Sequence, residues 1–342
     1  MKKEVERNEA LFSVASVLSD MYGQNGHVDE QLYDRFCFEG LDQNKAQTAK
    51  HSYRFYQGKV RDCLFDDESL YMVHSDRLTA FDRHICLVPF KGVLLSAINS
   101  FWMKKVGNVV QTLPVETINS RVLKMKKLAP IKVEVIVRGY LAGSMMRAYQ
   151  KGQRIFCGHK LPDGLRNYQE LPEPLITPTT KAEAFAHDEN ITAEELVQQN
   201  LCSKADWENI CQQALNIYNL GRSIYQDKNW ILVDTKYEFG KCTKTNNIYI
   251  MDEVHTPDSS RLWVADTYQQ KVAQNEEPTM LDKEIVRSFL LKNSFSGEGK
   301  IPIVPKKLNL DLAKAYLSVA ECLLNAPVMA SNHENINFDS FE

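Results

Sequence analysis

Hydrophobic positions switch several times between helical and strand spacing along this chain. Leu11, Val14, Ala15 and Leu18 recur at helical spacing in a mixed-charge stretch ending near residue 50. The pattern then shortens. Residues 55–65 alternate around Gly58, and residues 70–74 form a second apolar run, so both read as strands. Residues 92–106 return to helical spacing through Leu94, Leu95, Ile98, Phe101 and Trp102. Residues 122–127 and 131–138 read as strands separated by Ala129-Pro130. Residues 158–190 carry Pro162, Pro172, Pro174 and Pro178 with little periodicity, and the expectation there is a long functional loop. A helix is expected over 193–226, with Thr192 as its N-cap. Strands follow over 230–239 and 248–254, then helices over 281–289 and 310–324, then a polar tail from residue 330. The blocks this suggests are a helical extension (1–50), a β-rich lobe (51–130), a second mixed lobe (131–270) and C-terminal helices with a tail (271–342).

The run from Trp230 to Phe239 holds the most chemistry. Side chains alternate faces in a strand, so Ile231, Val233, Thr235, Tyr237 and Phe239 share one face and Leu232, Asp234, Lys236 and Glu238 the other. Three charges on one face are costly to bury unpaired, which favours a polar cleft. A turn centred near Thr245 sets Glu238 opposite Asp252, within reach of one cation; magnesium takes such oxygen ligands. A surface hairpin with solvated charges accounts for the same spacing. The next segment, Thr256-Pro-Asp-Ser-Ser-Arg261, suits either a plain turn or a phosphate site built on two hydroxyls and a guanidinium. Upstream, Gly58-Lys59-Val60-Arg61 places two basic side chains behind a glycine, although it is no Walker A loop. Arg138 closes a strand before the Gly139 to Gly143 turn, and Ser144 is a candidate N-cap of a helix over 145–149. An anion there, or a carboxylate paired to Arg138, explains the residues equally well.

Composition narrows the function. The chain has 342 residues, 44% apolar and 25% charged, and a net charge of −3. That length suggests roughly two domains at about 150 residues each. The charge argues against non-specific nucleic-acid binding, which needs a basic footprint. No stretch approaches the roughly 20 apolar residues of a membrane span. The N-terminus has no apolar core of a signal peptide. Eight scattered cysteines without C-x-x-C spacing read as reduced thiols in a cytoplasmic protein.

Taken together, several motifs resemble the phosphoribosylaminoimidazole-succinocarboxamide synthase (SAICAR synthetase) family. They are Gly58-Lys-Val-Arg-Asp62, Asp76-Arg-Leu-Thr-Ala-Phe-Asp82, Val137-Arg-Gly-Tyr-Leu-Ala-Gly-Ser144 and Leu171-Pro-Glu-Pro174. They continue with Thr180-Lys-Ala-Glu183, His187-Asp-Glu-Asn190, Asp234-Thr-Lys-Tyr-Glu-Phe-Gly240 and Asp252-Glu-Val-His-Thr-Pro-Asp-Ser-Ser-Arg261. The resemblance spans about residues 53–270. It implies an α+β, two-lobed ATP-grasp-like fold with mainly antiparallel sheets, C-terminal helices and an ATP-binding cleft. The implied reaction joins L-aspartate to the carboxylate of an imidazole ribonucleotide at the expense of ATP, by way of an acyl phosphate.

The same resemblance implies residue roles. Gly58, Lys59, Val60 and Arg61 contact nucleotide phosphates, and Lys126, Lys127 and Leu128 lie beside adenine. Glu238 and Asp252 hold Mg2+ with ATP. Arg138, Ser144, Asp258, Ser260 and Arg261 bind the ribonucleotide, and Asp76, Thr79, Asp82 and Glu189 lie near the substrates. Lys236 stabilises the transferring phosphoryl group, Lys181 lies on a loop near the reacting groups, and Asp188 is the candidate base. The expected partners are small molecules, with a homo-oligomer left open. Two other readings are a small-molecule kinase, which needs no aspartate, and a silent nucleotide-binding protein, which lacks cleft lysines or metal ligands. The chain departs from the family's commoner pattern at Thr79, Phe90, Thr179-Thr180 and Tyr237. Only Phe90 changes residue character, because it stands where glycine is frequent.

Overall fold

The computed structural model describes residues 11–22, 27–43, 53–181 and 189–331. The chain forms two compact units that are not consecutive blocks of sequence. The first combines Met1–Ala97, Glu116–Met125 and Phe295–Glu342; the second combines Ile98–Val115 and Lys126–Ser294.

In the first unit, a five-stranded sheet runs in the order Arg54–Gln57, Arg61–Phe65, Ser69–His74, Val122–Lys126, Val115–Thr117. Leu64, Tyr71, Val73 and Val122 bury one face together with Leu41 and Tyr53. A separate antiparallel ribbon pairs Arg77–Ala80 with Arg83–Leu87. The helix Val14–Asp20 packs on the C-terminal helix Lys306–Leu324, and Phe12–Ser13 pairs with Met329–Ala330.

The helix Lys91–Val106 begins right after Phe90, which lies at φ +61°, in the left-handed region. That is the departure singled out in the sequence: a bulky residue in a conformation that favours glycine. Phe90 is fully buried, and its ring lies 5.2 Å from Phe36 and 5.9 Å from Phe12. Aromatic packing thus offsets a backbone cost of about 1–3 kcal/mol.

In the second unit, the long strand Trp230–Lys241 is central. Ala129–Tyr140 pairs along one side of it, and Glu170–Thr180 forms the edge beyond. On its other side Ile248–Met251 pairs with one end and Ser260–Val264 with the other, all antiparallel. The helix Lys204–Gln226 covers one face through Trp207, Ile210, Ala214, Ile217, Tyr218, Gly221 and Tyr225, a three-and-four spacing.

Three sequence expectations change here. Residues 170–180 are a strand rather than part of a loop. Edge strands tolerate proline, and Pro178, though buried, turns its carbonyl away from the neighbouring strand to accept from Ile191 N–H at 3.1 Å. A bulge between Glu170 and Leu175 absorbs Pro172 and Pro174. The helix expected over 193–226 is two helices, Ala193–Gln198 and Lys204–Gln226, because Asn200 turns left-handed at φ +55° and Ser203 caps the second. Thr192 caps the first, with Glu195 completing a capping box. The helix expected over 281–289 is Glu284–Lys292, started by Asp282, whose carboxylate accepts from Glu284 N–H at 2.8 Å.

Asp76 anchors the first unit. It is fully buried and accepts from Arg121 at 2.8 and 3.1 Å, from Phe38 N–H at 2.8 Å and from Gly92 N–H at 2.8 Å. These four bonds all serve the fold. Removing one partner of a buried ion pair costs about 3–5 kcal/mol. Arg121→Ala is therefore expected to lower the unfolding free energy by that margin, measured by chemical denaturation. A loss below about 1 kcal/mol would show that the pair contributes little.

Candidate active site

The face of the second unit's sheet that the helix Lys204–Gln226 does not cover carries rows of polar residues, set by strand register. Glu238 pairs with Glu134, Lys236 with Ile136, and Asp234 with Arg138. Glu134 pairs onward with Thr179, and Asp234 with Arg261 on its other side. Directly paired residues share a face, so the alternation read from the sequence becomes two charged poles on one surface.

At one pole, Lys236 Nζ lies 2.5 Å from Glu134 Oε1 and 3.0 Å from Glu238 Oε1. Lys181 Nζ bonds the second oxygen of Glu238, and Thr179 donates to Glu134 at 3.3 Å. Burial alone would lower the Lys236 pKa; Glu238, Glu134 and Asp252 overcome it and raise it well above the usual lysine value. Burial would likewise raise the Glu238 pKa, but Lys236 and Lys181 hold it down at about 2. Lys236 is therefore charged and Glu238 is ionised at neutral pH.

Asp252 does not sit directly opposite Glu238. Met251 does, because the hairpin turn lies at residues 242–247 and the strand ends at Met251. Asp252 turns left-handed at φ +68°, which redirects its side chain out of the strand's alternation. Its charge still acts on the Lys236 ammonium. Among the described residues no group of three or more His, Cys, Asp or Glu side chains is placed to hold a metal alone. Magnesium asks for less: one or two carboxylates completed by phosphate oxygens. The oxygen-only donors Glu238 and Asp252 fit that requirement.

At the other pole, Arg138 donates to Thr177 at 2.9 Å, to Ser144 Oγ at 3.3 Å and to Asp234 at 3.4 Å. Arg261 bonds the same Asp234 oxygen at 2.6 Å and Glu284 at 3.2 Å. Arg287 reaches Glu284 at 2.5 Å. Burial lowers the Arg138 pKa to about 10 despite Asp234, with Arg261 and Arg147 adding repulsion. Four guanidiniums thus face the carboxylates of Asp234 and Glu284; Arg261 and Arg287 hold Glu284 down at about 2, while burial pushes Asp282 up to about 7. The surplus of positive charge suits a phosphate monoester.

Gly143, at φ +56°, lets the helix Gly143–Gln150 begin against Arg261; any Cβ there would collide with the guanidinium. Ser144 is not the N-cap, which is Ala142. It lies inside the first turn, with its hydroxyl towards Arg138. Ser260 is buried and donates to Thr235 across the strands at 2.8 Å, and Asp258 is buried in the turn at residues 256–259.

Other expected site residues lie elsewhere. In the first unit, Gly58 N–H bonds the Arg61 carbonyl at 2.8 Å, and Arg77 donates to the Gly58 and Lys59 carbonyls at 3.0 and 3.2 Å. Arg77 is itself paired to the buried Asp62 at 2.6 Å. The Val60 carbonyl accepts from Ser75 Oγ at 2.7 Å, and Lys59 pairs with Asp82 at 2.6 Å. Thr79 pairs with His84 in the ribbon. In the second unit, Lys127 and Leu128 follow Lys126, and Leu128 lies over Gly240, where a side chain would not fit. Glu189 is exposed, and its N–H bonds Thr180 Oγ1 at 3.1 Å. Asp188 lies outside the described residues. The sequence reading missed Glu134, Arg147, Arg287 and Glu284. Only Glu134 carried a signal, as a charge between Val133 and Val135 on the partner strand.

Comparison with known proteins is consistent with this arrangement. The chain matches the SAICAR synthetase family over residues 54–302. It is 38% identical over 285 residues to the phosphoribosylaminoimidazole-succinocarboxamide synthase of Bacteroides thetaiotaomicron, covering 82% of this chain and 90% of that one. Among solved structures, the SAICAR synthase of Saccharomyces cerevisiae complexed with SAICAR is 32% identical, with TM-score 0.68 over 80% of this chain and 96% of that one. A type-2 SAICAR synthetase in complex with ADP is 25% identical, with TM-score 0.62 over 80% of this chain and 99% of that one. The α+β architecture with antiparallel sheets and C-terminal helices is that of a carbon–nitrogen ligase of purine biosynthesis. The chain belongs to the SAICAR synthetase family.

The depressed Glu238 pKa has a measurable consequence. Its folded value lies below its unfolded one, so the stabilisation is complete above the unfolded value, near 4.5, and is lost as pH falls through about 2. Denaturant unfolding between pH 5 and 2 is expected to show a steeper loss for the native chain than for Glu238→Gln. Parallel curves would contradict the pairing.

Proposed function

We propose that the charged sheet face carries out ATP-dependent ligation of L-aspartate to the carboxylate of 5-amino-1-(5-phosphoribosyl)imidazole-4-carboxylate, by way of an acyl phosphate. The observation that carries the reading is the position of Lys236, a charged ammonium between Glu134 and Glu238 on a strand whose other end holds an arginine cluster. Glu238 lies four residue steps from Asp234, about 13 Å at ~3.3 Å per residue. That length suits a ligand with its phosphate at one end and its reacting carboxylate at the other.

A carboxylate is a poor electrophile towards an amine. In the first step its oxygen attacks the γ-phosphorus of ATP, forming a C–O–P linkage, and ADP leaves. The aspartate amine then attacks the carbonyl carbon, the C–O bond breaks and phosphate leaves with its electron pair. Lys236 and Lys181 neutralise charge on the transferring phosphoryl group. Glu238 and Asp252 would hold magnesium, which supplies further charge neutralisation on the phosphate oxygens. Arg138, Arg261, Arg147 and Ser144 bind the ribonucleotide phosphate. The Gly58 to Arg61 turn contacts nucleotide phosphate, and Lys126 to Leu128 lie beside adenine. The amine's proton needs an acceptor; Asp188 is the candidate by family resemblance. Among the described residues no helix is long and apolar enough to cross a membrane, and we place the enzyme in the cytoplasm.

The test is ADP release with magnesium-ATP, the ribonucleotide and L-aspartate, each omitted in turn. Turnover is expected to need all three, and Glu238→Gln to lower it about 100- to 1000-fold. Steady ADP release at an equal rate without aspartate would instead indicate a kinase. Arg147→Ala is expected to raise the KM for the ribonucleotide about 10-fold or more with little change in thermal stability, since the side chain is exposed. An unchanged KM would remove Arg147 from the phosphate site.

A further inference from the structure

Asp252 has a problem of conformation. It follows directly on the strand Ile248–Met251 and turns left-handed at φ +68°, a region an aspartate enters at a cost. Something must hold it there if its carboxylate is to be presented reproducibly.

Asn99 meets that need. It lies in the helix Lys91–Val106 and is fully buried. Its side-chain amide donates to the Asp252 carbonyl at 2.8 Å and accepts from Val254 N–H at 3.0 Å. One side chain thus engages a carbonyl and an N–H two residues apart, as a neighbouring strand would. One turn further along the helix, Trp102 packs edge-on against His255 with ring centroids 4.6 Å apart. Tyr225 OH completes the grip on the His255 carbonyl at 2.7 Å. His255 is left-handed too, at φ +49°. The segment from Asp252 to His255 is therefore clamped by groups that do not themselves reach the polar face.

We propose that Asn99 is a positioning residue for the metal-binding carboxylate, fixing the backbone of Asp252 so that its side chain faces the cation carried by the nucleotide. The inference rests on the reading of Asp252 as a metal ligand. Partners one shell out from a metal typically affect its affinity by about 10- to 100-fold.

The experiment measures Mn2+ bound by the full chain in the presence of ADP, from loss of the free-Mn2+ electron paramagnetic resonance signal. Asn99→Ala is expected to weaken Mn2+ binding about tenfold, and Asn99→Asp, which keeps the acceptor for Val254, to weaken it less. In an Asp252→Asn background, Asn99→Ala is expected to add nothing. If Asn99→Ala does not fold, Asn99→Asp takes its place in the same cycle. If Asp252→Asn leaves Mn2+ affinity unchanged, the metal reading of Asp252 fails and this inference with it. If Asp252→Asn weakens binding but the Asn99 variants do not, or weaken it equally in both backgrounds, the metal reading stands and the positioning role is overturned.

Discussion

Lys236 sits in the middle of a central strand, where one face is packed under a helix and the other must satisfy charge. An ammonium in that position is tolerable only with carboxylates at hydrogen-bond distance, and antiparallel register decides which residues can supply them. Glu238 comes from the same strand two residues on; Glu134 comes from the adjoining strand, opposite Glu238. The same register sets Arg138 and Arg261 on either side of Asp234. A slip of one residue would turn all of these side chains into the helix-covered core. The strand pairing and the chemistry of the face are therefore one constraint, not two.

Much of this was legible in the sequence because a strand's period is short and strict. The charges at 234, 236 and 238 could lie on only one face, and their apolar neighbours had to lie on the other. Partners from distant segments were not legible. Nothing about Glu284 or Arg287 in a late helix marks them as companions of Arg261; only the folded chain brings them within 3.2 Å of one another's partners. Prolines misled the reading at residues 170–180, since a proline-rich edge strand has the composition of a loop. The Glu238–Asp252 pairing was off by one residue because turn length, not composition, fixes hairpin register. Asn99 escaped notice for a different reason: a lone polar residue on a buried helix face gives no periodic signal.

The two poles also differ in how they hold their charge. At the lysine pole Glu238 is shared between two ammoniums, and both oxygens are engaged. Substrate phosphates arriving with a divalent cation would trade these contacts for new ones of the same sign. At the arginine pole the guanidiniums are braced by Asp234 and Glu284 and retain a surplus of positive charge. The first arrangement is suited to exchange during a reaction, the second to a fixed anchor.

Phe90 shows how a local misfit can tie remote parts of a sequence together. Its left-handed backbone is tolerable in return for contacts with Phe12 and Phe36, which lie outside the stretch matched by the family. Glycine at that position relaxes the backbone but leaves a void between those rings. Conversely, a chain trimmed of its first forty residues keeps the strain and loses what balances it. The aromatic at 90 and the segment bearing Phe12 and Phe36 should therefore be gained and lost together as lineages diverge, and swapping either one alone between relatives should yield a less stable hybrid.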